Sequence, residues 1–191
     1  MKHPNVALLF ILLISLFTIS CAGKSAYMKP SDSLLNPSYD KAVVRFMRPS
    51  GYGYAKNFNI MDGEKVIGNS VAESQFDYRA DPGQHLFMAT AENKAFLEAN
   101  LEAGKTYYII TQVKMGAWAV RVGLIPVNRG SEFWDKVLEY ENVLNKLEPE
   151  QELLEQWEDA NKAKIQNVLQ GYETKWKHEH AWGTLSPEDG R

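Results

Sequence analysis

One cysteine in 191 residues, Cys21, leaves no pair for an internal disulfide. An exported form of this chain must therefore stand on its packed core alone. Histidine is scarce too, four in all, and only His178 and His180 stand close together. No glycine-rich loop runs into a helix to cradle a phosphate, and no glycine-bracketed serine has the pattern of an esterase elbow. Between residues 41 and 127 helical periodicity is missing as well. Long apolar runs are confined to Val6–Phe17, twelve residues interrupted only by Ser15. A bilayer-spanning helix needs about 20 apolar residues, so this run has the length of a signal-peptide core instead.

Lys2 and His3 precede that core, and Thr18-Ile19-Ser20-Cys21 comes directly after it. The arrangement resembles the lipobox of bacterial lipoproteins, although Thr18 stands where leucine, valine or isoleucine is commonest. The resemblance implies diacylglyceryl transfer to the Cys21 thiol, cleavage before it and acylation of the new amino group. Several acyl chains hold a protein on a membrane stably where one is marginal. Ala22, in place of aspartate, implies by the same resemblance an outer-membrane address facing the periplasm. The plainer alternative is an ordinary secretory signal with an incidental cysteine. Under the lipobox reading residues 1–20 are the signal peptide and 21–40 a lipidated tether. The tether is rich in proline, serine and glycine, and too poor in apolar groups to offset its ordering entropy.

From residue 41 the chain turns strand-like. Ala42–Arg48 is a β-prone run ended by Pro49-Ser50-Gly51, and Tyr52-Gly53-Tyr54 forms a glycine–aromatic loop. Asp62-Gly63 separates Phe58–Met61 from Lys65–Gly68 as a tight hairpin turn does. Gln75–Ala80 alternates, and Pro82-Gly83 turns the chain into Gln84–Ala91. Phe96–Leu101 alternates too, Ala103-Gly104-Lys105 turns, Thr106–Thr111 is β-branched or aromatic throughout, and Trp118–Ile125 ends the series. About eight short strands at this spacing predict an antiparallel β-sandwich over 41–128.

Arg48-Pro49, Asp62-Gly63, Pro82-Gly83-Gln84-His85-Leu86-Phe87 and Leu101-Glu102-Ala103-Gly104-Lys105-Thr106-Tyr107-Tyr108-Ile109 resemble the pattern of a domain-of-unknown-function family of bacterial envelope lipoproteins. The resemblance covers residues 41–127 and implies a small β-sandwich. It brings no catalytic residue, cofactor or ligand with it.

Composition changes at Arg129-Gly130. Phe133, Val137, Leu138, Leu144 and Leu147 recur at helical spacing, Glu148-Pro149 interrupts, and Leu153, Leu154, Trp157, Ile165, Val168, Leu169, Tyr172 and Trp176 resume it. The pattern predicts a helical hairpin over 129–178 and a flexible tail over 179–191. The expected class is thus mainly β with C-terminal α. Residues 22–129 carry 13 basic and 10 acidic side chains, and residues 130–191 carry 7 and 14. The acidic half argues against nucleic acid as a partner.

Candidate chemistry is thin. His178 and His180 lack a third ligand at short spacing, and two helical histidines two apart point away from each other. His85 invites a general-base role, but its position after a strand turn favours a cross-strand hydrogen bond. Tyr52, Tyr54, Tyr107, Tyr108 and Trp118 suit either a core or a sugar-stacking face. The expectation is a lipid-anchored, non-enzymatic structural or interaction module, with Cys21 as its modified residue and no metal, cofactor or catalytic group. Its partners are the membrane, through the lipid, and an envelope protein or glycan. A glycan- or peptide-binding module is the alternative, and a hydrolase or metal-dependent enzyme using His85 or His178 and His180 a further one.

Overall fold

The computed structural model describes residues 25–116, 118 and 120–191. The signal peptide, Cys21 and the first residues of the tether lie outside the described residues. Eight strands fall where the eight apolar runs predict them: β2 Ala42–Arg48, β3 Phe58–Asp62, β4 Lys65–Ser70, β5 Ser74–Ala80, β6 Gly83–Thr90, β7 Lys94–Leu101, β8 Thr106–Met115 and β9 Val120–Pro126. Three more come from segments without a strand signature: β1 Met28–Pro30, β10 Asn145–Pro149 and β11 Gly183–Leu185. Sheet 1 has the order β1-β10-β5-β2-β8-β9 and sheet 2 the order β11-β7-β6-β3-β4.

Phe46, Phe76 and Phe87 interlock between the sheets, the first two stacked with ring centres 5.1 Å apart and the third edge-on. Ile60, Leu97, Tyr107, Ile109 and Val44 close around them, all buried. Gly68 is small because Phe76 needs the space: a Cβ there would sit 2.4 Å from the ring.

The sandwich is mixed, where strict antiparallel order was expected. β2 runs antiparallel to β5 but parallel to β8, with Phe46 opposite both Phe76 and Ile109. The reason is the long excursion between β2 and β8, which passes twice through sheet 2 and once through β5 of sheet 1, since a parallel neighbour requires a crossover. β10 beside β5 and β11 beside β7 are parallel for the same reason.

The helices depart from the expected hairpin. α1 (Lys136–Val143) ends where Leu144 turns extended, and Asn145–Pro149 enters sheet 1 between β1 and β5. α2 (Gln151–Gly171) then crosses to the other side of the sandwich. It continues as a π-helical turn, Tyr172–Trp176, and a last helical turn, α3 (Lys177–Glu179). Val137 and Leu144 pack with Met47, Tyr108 and Ile110 on the outer face of sheet 1. Leu154, Ile165, Val168 and Tyr172 pack with Met61, Val66, Met88 and Phe96 on the outer face of sheet 2. Both sheets are apolar on both faces, so each needs its own cover, and a paired hairpin would leave one bare.

Two expected flexible segments are fastened. Of the tether, Met28 is buried and pairs with Pro149, and the Ser25 hydroxyl donates to Asn69 Oδ1 at 2.7 Å. Of the tail, Leu185 is buried beside β7, and Arg191 exchanges backbone hydrogen bonds with Thr106 at 2.8 and 3.0 Å. Asp189 accepts from Ser186 N at 2.8 Å and from Asn128 Nδ2 at 2.9 Å.

Candidate functional site

One end of the sandwich gathers the loop 49–57, the turns 71–73 and 91–93, and Gly116 and Trp118 after β8. Arg48 organises it. This residue is 1% exposed, and its guanidinium has no carboxylate partner among the described residues. It donates instead to the carbonyls of Tyr52 and Gly53 at 2.9 Å, Lys56 at 2.7 Å and Ser70 at 3.3 Å. Burial draws its pKa down, as desolvation of an uncompensated cation must. Gly53 adopts φ +66°, and a Cβ there would meet Val113 at 3.2 Å, so the loop lies against the β8–β9 hairpin. Around this loop the aromatic groups separate. Tyr52 (47%), Tyr54 (64%), Met115 (71%) and Trp118 (96%) are exposed, while Tyr107 and Tyr108 are buried.

Beside the same loops, on the outer face of sheet 2, lies a cleft of about 400 Å³. Tyr27, Asn59, Asn69, Thr90, Trp157 and Lys164 are among its walls. Asn69 Nδ2 donates to Asn59 Oδ1 at 2.7 Å, and Ser25 holds the Asn69 oxygen, so a short relay fixes both amides. Sequence reading passed over these residues. The available signal was the change from apolar to amide at alternate outward positions, Met61 then Asn59 on β3, in a strand that otherwise packs under a helix.

His85 makes the cross-strand tie expected of it. Nδ1 meets Asp62 Oδ2 at 2.7 Å and Nε2 meets the Asp81 carbonyl at 2.8 Å, while the ring stacks on Phe87. Tyr78 also donates to Asp62 at 3.1 Å. With both nitrogens engaged, this imidazole serves as a strut. His178 and His180 do not converge. His178 is exposed in the last helical turn, and His180, beyond it, lies against Trp182 with ring centres 5.1 Å apart. Among the described residues no three His, Cys, Asp or Glu side chains are grouped to hold a metal ion.

A third cluster joins the layers. Arg45 donates Nε to Asp77 at 2.7 Å, Nη2 to Asp77 and to the Leu35 carbonyl at 3.0 Å each, and Nη1 to Glu141 on α1. Tyr108 donates to the same Glu141 oxygen at 2.7 Å. Every group in it is engaged with another, which is the mark of a structural tie between sheet and helix.

No family model, curated protein or solved structure matches this chain.

Proposed function

We propose that the protein is a lipid-anchored module of the cell envelope that works by binding, held against the outer membrane through Cys21. The observation that carries this is how soon after Cys21 the chain is already fastened to the sandwich. Ser25 is tied to Asn69 and Met28 is buried, so at most three residues lie between the cysteine and the packed domain. Four residue steps span at most about 14 Å. An acylated Cys21 would therefore seat the domain directly on the bilayer, in place of the long spacer that the composition predicted.

That seat favours the loop end. Ser25 enters beside Asn59 and Asn69, next to the loop that carries Tyr52 and Tyr54. Tyrosine and tryptophan partition to the membrane interface, where an apolar ring and a polar tip are both satisfied. Exposed Lys56 and Lys114 on the same end suit anionic headgroups. The ionisable clusters of the described residues support binding over catalysis, because His85 and Arg45 are spent on holding strands and α1 together.

Membrane fractionation and intact mass of the wild type beside Cys21→Ser test the anchor. Expected is a membrane-bound product carrying acyl mass, with both features lost in the variant. A soluble, unmodified wild-type product cut near residue 20 overturns the reading.

A further inference from the structure

We propose that the cleft between α2 and the outer face of sheet 2 is a saccharide-binding site. This deepens the binding-module reading, but it does not depend on acylation of Cys21.

The outer face of sheet 2 has two zones. Met61, Val66, Met88 and Phe96 are buried under α2 and the π-turn. Toward the loop end, the outward positions two residues along change to Asn59 on β3 and Thr90 on β6, with Asn69 beside Asn59 on β4. Side-chain amides contribute nothing to packing under a helix and cost desolvation when covered. Asn69, buried, is spent on holding Ser25 and Asn59, which leaves the half-buried Asn59 and Thr90 at the open end of the face.

The relay from Ser25 through Asn69 to Asn59 consumes the Asn59 oxygen. The Asn59 Nδ2 group has no hydrogen-bond partner among the described residues, nor has the indole N–H of Trp157. Both are donors held on a rigid frame of strand and helix, as orientation of a polar ligand requires. Tyr27 and Trp157, each half-buried, supply ring faces, which stack on the C–H face of a sugar. A volume of about 400 Å³ suits one or two sugar rings, at the lower part of the usual range for small-molecule sites.

The charges of the described walls favour an uncharged ligand. The described walls carry no carboxylate or imidazole, so they offer a metal ion no ligand set. Among the described walls Lys164 is the one cation, too little for a di- or triphosphate. Hydroxyls and amide substituents are what uncharged amides, hydroxyls and indoles recognise.

The test is calorimetric titration of the purified full chain with N,N′-diacetylchitobiose and, separately, maltose. Expected is saturable binding of at least one sugar, weakened about tenfold or more by Asn59→Leu and abolished by Thr90→Phe, which fills the cleft. Thr90 makes no side-chain hydrogen bond among the described residues, so the second variant keeps the test alive should Asn59→Leu unfold. Failure of both sugars to bind at millimolar concentration overturns the proposal, as does binding that both folded variants leave unchanged. Intact mass of the same sample reads the state of Cys21 separately, so loss of the anchor and loss of the site are told apart.

Discussion

Nδ1 of His85 and Oδ2 of Asp62 lie 2.7 Å apart across neighbouring strands of sheet 2. Burial opposes the imidazolium, but the hydrogen bond to Asp62 and that carboxylate's charge outweigh it, so His85 titrates above its ordinary 6.5. A raised folded pKa gives stability that is fully present below pH 6.5 and is lost as pH rises through the folded value. His85→Gln is expected to cost about 1–2 kcal/mol near pH 5 and clearly less near pH 9. Urea melts at the two pH values measure it, and a pH-independent loss would show that the pair contributes no charge.

Arg45 and Asp77 are 6% and 5% exposed at their side chains. Arg45→Met leaves the Asp77 and Glu141 carboxylates without their cation, a loss of about 3–5 kcal/mol for a buried pair broken on one side. The double variant Arg45→Met, Asp77→Leu removes the more deeply buried of the two stranded charges and is expected to recover part of the loss. Denaturant midpoints of the single and double variants decide. A double variant no more stable than the single would count against a desolvated pair.

The C-terminal strand covers an edge. Deleting residues 183–191 uncovers β7, exposes the site of Leu185 and removes the Arg191 guanidinium from the Trp134 face, 3.9 Å away. A loss of about 2–4 kcal/mol is expected from the apolar burial and hydrogen bonds together, with a greater tendency to associate through the freed edge. Melting temperature and light scattering check both. A truncated chain that melts like the parent would mean the tail is dispensable.

Trp118 is 96% exposed on the loop end that the proposed anchor holds against the bilayer. In vesicles carrying brominated lipid, the acylated protein is expected to show tryptophan quenching that falls in Trp118→Phe, with acylation unchanged. Equal quenching in the variant would place this end away from the membrane.

The eight strands between 42 and 126 were legible because their signals are local. Turn pairs such as Asp62-Gly63, where Gly63 takes φ +56°, and β-branched runs such as Thr106–Thr111 act within a few residues. The strut role of His85 was legible for the same reason. The cleft was not, because it depends on where α2 stops covering sheet 2, and that is settled by residues about 100 positions away in the chain.

By itself the sequence determined the β-rich class with C-terminal helix, the places of eight strands and the N-terminal pattern around Cys21. Tertiary structure decided the rest. Asn145–Pro149 carries a helical apolar spacing with Leu144 and Leu147, yet it becomes a strand because β5 and β1 offer it hydrogen-bond partners on both sides. The helices lie on opposite faces because two sheets, each apolar on both sides, need separate covers. Residues 25–40 and the tail, too poor in apolar groups to order themselves, are ordered by edges and crevices already formed, which repay an entropy that neither segment could offset alone.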